Sequence, residues 1–221
     1  MTQEVPMADL TTNLKLTTEL EAINTLLRCI GEGPVSDVDS PQNISAMNGL
    51  KTLRRVSREV QTAGWYFNSE YDVTLSKDQD GKIPVGNDVL EIDSYGSDKS
   101  TDVTRRGGFL YNLSDNTFVF AGSIKVELIR FLSFEDIPES ARTYIVIKAG
   151  REFAHQEIGA SDGLGGFGFN EADEARSLII LKNHEGNNAD HNILTGSRGT
   201  LKVIDRTGLI GGMMQFNTIG R

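Results

Sequence analysis

Gly159, Ala160, Ser161, Asp162 and Gly163 spell G-x-S-x-G, the pattern that presents a serine nucleophile on a strained turn between a strand and a helix. Asp173 and His184 follow in the acid-then-imidazole order of such hydrolases, so an enzyme acting on cell-surface glycans or esters is the alternative reading. That chemistry needs a strand to deliver the serine. Here the residues before Gly159 carry helical periodicity, and Gly165 and Gly166 stand where the following helix should begin. A glycine-rich loop between two helices is the simpler account. Gly163 to Gly168 also spells G-x-G-x-x-G, but a dinucleotide fingerprint follows a strand inside a βαβ unit, and this one follows a helix. His184-Glu185 opens like the H-E-x-x-H zinc motif, yet position 188 is Asn and His191 need not share a face with His184. Ser76, Asp78, Asp80, Gly81 and Ile83 resemble the first half of a calcium loop whose closing position, Asn87, cannot chelate as a bidentate Glu does. His155, near a helix C-terminus, suits the dipole or a neighbouring side chain. No catalytic residue, no cofactor and no metal site is assigned.

Lys51, Arg54, Arg55 and Arg58 stand at i, i+3, i+4 and i+7, one stripe of a helix. A solvated face is the ordinary meaning of such a stripe. The chain carries 31 acidic and 22 basic side chains, a formal charge of −9. Cations concentrated in such a chain also fit an acidic surface on another subunit, or nucleic acid. Coating DNA takes a surplus of Lys and Arg that is missing overall. Nothing basic and amphipathic points to a membrane surface.

The elements that must hold these residues can be read from composition and periodicity. Hydrophobic residues make up 38% and charged residues 24%, enough apolar mass for a core. The longest apolar runs, such as 144–147 and 178–181, hold four residues each; a membrane-spanning helix needs about 20, so no membrane anchor is expected. Residues 1–16 include Glu4 and Asp9 and no apolar run, so no signal peptide is expected. Cys29, the single cysteine, allows no internal disulfide and no thiolate zinc site. A soluble protein of a reducing compartment is the expectation.

Residues 17–30 read as a helix, with Thr18 and Glu21 at capping-box spacing and Leu20, Ile23, Leu27 and Ile30 on one face. A second helix is expected from Ser40 as N-cap and Pro41 in its first turn, to Gly64. Ile44, Met47, Leu50, Leu53, Val56, Val60 and Ala63 form its expected buried stripe. From Trp65 the period changes to two. Strands are expected at 71–75, 89–92, 102–105, 109–113, 117–120 and 124–131, with Ser114, Asp115 and Asn116 as a hairpin turn. The last three strands, so closely spaced, imply an antiparallel meander, and 76–86 reads as an exposed loop. Helical signals return at 136–158, with Ala141, Ile145, Ala149 and Phe153 in one row, and at 170–185. The remainder is rich in glycine and lacks sustained periodicity.

The expected fold is therefore α+β: a four-helix bundle (15–64 plus 136–186) interrupted by an antiparallel β-sheet domain (65–135), with an extended C-terminal tail (187–221). Leu209, Ile210, Met213, Met214 and Phe216 are the candidate docking residues of that tail.

Five blocks carry a family resemblance: ELEAINTLLRCIGEGPVS at 19–36, LRRVSREVQTAGWYFNSEYDVTL at 53–75, RRGGFLYNL at 105–113, IRFLSFEDIPESARTYIVIKAGREF at 129–153 and NEADEAR at 170–176. In order and spacing they resemble tail tubular protein A, the tail-adaptor or gatekeeper family of short-tailed bacteriophages. The resemblance spans about residues 15–185, with departures at 76–101 and beyond 186. It implies a virion tail component, a dodecameric ring between portal and tail nozzle that helps anchor tail fibres and passes double-stranded DNA through its lumen. A net-negative lumen would let DNA slide instead of gripping it. In that setting the Lys51, Arg54, Arg55 and Arg58 stripe is expected to face a neighbouring protomer, with Glu171, Asp173 and Glu174 as the candidate acidic surface by charge density.

Overall fold

The computed structural model describes residues 16–38, 43–159 and 166–188. Residues up to Leu181 form one compact unit; a second begins at Lys182, and its described part, residues 182–188, is the end of the last helix. The described residues are mixed α+β, with four α-helices and two antiparallel sheets.

Helix α1 (Glu19–Cys29) starts as its sequence dictates: the Thr18 hydroxyl accepts from the Glu21 N–H, and the Glu21 carboxylate accepts from the Thr18 N–H. Helix α2 (Ile44–Thr62) begins later than its sequence suggested. Asn43 is the N-cap, its side chain accepting from Ser45 N–H at 2.8 Å, and Ser40 lies outside the described residues. The buried face of α2 is also rotated in its first turns. Ile44 is 76% and Met47 44% exposed, and Ala63 is exposed too, while Ala46 and Gly49 point inward. This side packs on α3: a Cβ on Gly49 would make ordinary contact with the Phe153 ring at 3.7 Å, and Ala46 joins the same core. Helix α3 (Glu139–Ile158) has Pro138 at its N-cap, and its row Ala141, Ile145, Ala149 and Phe153 is fully buried. Helices α1, α2 and α3 pack against one another around this row. Helix α4 (Glu171–Asn188) joins the same core through Leu178 and Leu181.

Between α2 and α3 the chain builds a second core. Strands β1 (Ser69–Leu75), β5 (Ile124–Arg130) and β2 (Val89–Ser94) form one antiparallel sheet in the order β1-β5-β2. Strands β3 (Val103–Arg106) and β4 (Phe109–Asn112) form a separate hairpin. The expected meander is thus replaced. Residues 117–120 are not a strand: they make a single bridge, Thr117 to Asn112, and one further backbone bond, Phe120 N–H to Gly81 O at 2.9 Å, too few for a ladder. The turn through 114–116 does form, with Asn116 in the left-handed region at φ 54°. Nor is 76–86 wholly exposed, because Ile83 and Val85 are buried with Val103, Leu110, Val126 and Leu128.

Polar side chains join the two layers. Gln61, fully buried at the end of α2, donates to Leu132 O at 3.0 Å and accepts from Leu132 N–H at 2.8 Å. Asn68 donates to Gln61 O at 2.9 Å and to Arg130 O at 2.8 Å. The two connections of the β layer therefore run side by side, and amide bonds of the ladder type hold them there.

A candidate protomer interface on the second helix

The four cations of α2 are all exposed, because the buried positions Leu53, Val56, Ser57 and Val60 leave 51, 54, 55 and 58 on the opposite side of a 3.6-residue turn. They are not equivalent. Arg54 is held bidentate by Glu19 on α1, at 2.9 and 3.0 Å. Arg55 pairs with Glu152 on α3 and with Glu59 one turn along its own helix at 3.6 Å. Arg58 has an aromatic partner instead, its guanidinium 6.0 Å from the Phe131 ring centroid. Lys51 has no ion-pair or hydrogen-bond partner among the described residues. Two of the four charges are thus partly answered within the chain, and Lys51 and Arg58 remain open to a partner.

Between α2 and the segment leaving β5 lies a cleft of about 240 Å³ lined by Leu53, Arg54, Ser57, Arg58, Phe131 and Phe134, with Glu19, Ser133 and Glu135 completing it. Its floor is apolar and its rim charged, with Arg54 answered by Glu19. Glu135 approaches Arg142 at 3.8 Å. The sequence named the two arginines but not the cleft, because 53–58 and 131–135 meet only through folding.

The acidic candidates on α4 also differ among themselves. Asp173 and Asn170 bond each other's backbone N–H, at 3.0 and 3.1 Å, so Asp173 serves as part of the helix cap. Glu174 pairs with Arg151 of α3. Glu171 is exposed and has no partner among the described residues. Leu209, Ile210, Met213, Met214 and Phe216 lie outside the described residues, as do Ser161 and His191.

The motif contexts can be checked where they fall on described residues. Gly159, the first residue of G-x-S-x-G, is the left-handed C-cap of α3 at φ 68°, its N–H bonded to His155 O at 3.1 Å. A helix end, not a strand, leads into that motif, which is not the elbow geometry. Asp78 closes its own loop, its Oδ1 accepting from Asp80 and Lys82 N–H at 3.0 and 2.8 Å, the pattern of an ordinary polar turn. Among the described residues no group of three His, Cys, Asp or Glu side chains could hold a metal ion, and no helix is long and apolar enough to cross a membrane.

A family model described as tail tubular protein matches residues 20–191, spanning both layers and α4. The chain belongs to the tail tubular protein family. Among relatives of this tail tubular protein is tail tubular protein A of Klebsiella phage KP34, 30% identical over 163 residues, which cover 73% of this chain and 84% of that protein. The family makes it a structural protein of the phage tail.

Proposed function

We propose that this tail protein is the protomer of a ring-shaped adaptor between portal and tail nozzle, a dodecamer that gives the genome a conduit and the tail fibres an anchor. The family match over residues 20–191 carries the structural role. The exposed cations of α2, in a chain of charge −9, support contact between protomers. In this reading residues 15–64 and 136–186 work as one four-helix bundle, 65–135 as an inserted β domain, and 187–221 as an extended tail that docks on a neighbour or the portal. Double-stranded DNA passes the lumen without being gripped. A hydrolase centred on Ser161 finds no support at Gly159, where a helix ends. Electron microscopy of the purified protein, and of virions carrying a tag on it, tests the proposal. Closed rings, and label at the head–tail junction, are expected; label confined to the fibre tips or the capsid would overturn it.

A further inference from the structure

The cleft between α2 and the segment leaving β5 differs in charge from end to end. Glu19 and Glu135 stand at one end, Arg58 over Phe131 at the other, and Leu53, Phe131 and Phe134 give an apolar floor. Glu19 is spent on Arg54, at 2.9 and 3.0 Å. Glu135 accepts from the Glu19 N–H at 3.0 Å and lies 3.8 Å from Arg142. Arg58 has its aromatic partner but no ion pair among the described residues. The described chain begins at the acidic end: Leu16 precedes Thr17, whose carbonyl accepts from Arg142 at 2.8 Å, and Glu19 follows. Residues 1–15, MTQEVPMADLTTNLK, lie outside the described residues. They place Lys15 beside this entry and Glu4 and Asp9 farther off, with Val5, Met7 and Leu10 around the two acids.

We infer that residues 5–10 lie back along the cleft of their own chain, with their apolar side chains on the Leu53–Phe131–Phe134 floor and Asp9 at Arg58. Three matches select this segment. The first is reach. From Leu16 the chain to Asp9 can span up to roughly 23 Å, while Glu19 is at most about 11 Å from Leu16. Arg58 stands about 6 Å past Arg54 along α2. So short a tether gives the arm an effective concentration on the order of millimolar over its own cleft. The second is polarity: Lys15 falls at the Glu19–Glu135 end and the acids toward Arg58. The third is chemistry. Aliphatic side chains leave water on the apolar floor, and the stem of Arg58 walls them in. Residues 189–221 suit Arg58 less, because Arg198, Lys202, Arg206 and Arg221 outnumber Asp190 and Asp205. DNA would answer Arg58 but not the floor. Lys51 is outside the cleft and stays open to a neighbour. The contact is made within one chain and needs no ring.

The test uses the full chain. Copies labelled with nitrogen-15 and carrying benzoylphenylalanine in place of Ala8, beside the seated side chains, are mixed with unlabelled copies, irradiated and mapped by mass spectrometry. Cross-links from position 8 to 53–58 or 131–135 of the same labelled copy are expected. Asp9→Arg, which alters no described residue, should cut their yield about threefold or more. Arg58→Glu should do the same with an unchanged circular dichroism spectrum, and the two together should restore most of the yield. Cross-links to the cleft of unlabelled copies would overturn the seat in favour of an exchanged arm. Cross-links only to other surfaces, or none, would overturn it outright, and an unaltered yield in both single variants would remove the Asp9–Arg58 pair. Ring formation enters none of these readouts, so the seat and the ring reading fail separately.

Discussion

Arg142 shows how much one buried cation can organise. Only 3% exposed, it donates to the carbonyl oxygens of Ile137 at 2.9 Å, Thr17 at 2.8 Å and Glu135 at 2.5 Å. Those carbonyls end the segments entering α1 and α3, and the Glu139 carboxylate accepts from the Thr17 N–H and hydroxyl. Arg142→Ala leaves these acceptors buried without a donor, so we expect a loss of about 2–4 kcal/mol in urea unfolding. Lysine should rescue little, because a point charge cannot serve three diverging carbonyls. Asp88 offers a milder case. Its hydrogen bond to Arg130 is the main cause holding its carboxyl below the usual carboxylate range, against a small opposing effect of burial. A depressed folded-state pKa contributes stability that is present above the unfolded value and lost as pH falls through the folded one. Arg130→Gln should therefore move the Asp88 carboxyl upward in an NMR titration, and flatten the stability change below about pH 4. The effect on stability is small because Asp88 is about half exposed, 48%, and water screens the pair.

Helices α1 and α3 were legible because each buries a face whose contacts lie three and four residues apart, a pattern the sequence carries locally; α4 was legible as a helix but not as a face, since Ala175, Ile179 and Lys182, which continue the apparent row from Leu178, are exposed and Leu181 is buried instead. The start of α2 was less so. Ile44 and Met47 obey the helical period, but which face is buried depends on Phe153, a hundred residues away. The sheet was legible as strands and not as an order. β5 sits between β1 and β2, whose partners are fixed by distant register, Val73 with Val126 and Asp93 with Glu127. Residues 117–120 alternate correctly but make only isolated backbone bonds to Asn112 and Gly81, and alternation alone makes no strand. The cationic stripe was visible as spacing; its division into paired and open charges was not, since Glu19 and Glu152 come from other helices. Gly64 ties these elements together. At φ 71° it ends α2, and a Cβ there would stand 2.8 Å from Ile129 Cδ1 on β5. Gly64→Ala combines left-handed strain with a clash against the central strand. We expect a cost of about 1–3 kcal/mol, read as a lowered melting temperature.

At the scale of the whole molecule, assembly should depend on the charges left open more than on the charge total. Arg54 and Arg55 spend their charge inside the protomer, so reversing them perturbs folding contacts as well as any seam. Reversal of Lys51 and Arg58 to Glu removes no ion pair recorded among the described residues. It should leave the melting temperature within a few degrees while weakening ring formation in sedimentation or mass photometry. Exposed pairs are worth only about 0.2–1 kcal/mol each, so in the proposed ring charge would set register and apolar contact would supply most of the hold. Normal rings with defective genome passage in that variant would place the stripe on the lumen instead.

The paired connections at Gln61 and Asn68 have a mechanical meaning. Both ends of the β insertion leave the helices next to each other, cross-bonded through Gln61 to Leu132 and through Asn68 to Arg130. A tug on the insertion therefore loads those bonds together instead of peeling one at a time, and the strain enters α2 and α3 at once. In a phage tail under mechanical load, such a clamp would keep the two layers moving as one piece. Gln61→Leu, which keeps the bulk and drops the amide, should lower the rupture force between helices and insertion in a single-molecule pulling experiment. An unchanged force would show that the load travels through apolar packing at the junction, where Trp65, Phe67 and Leu132 meet the helical core.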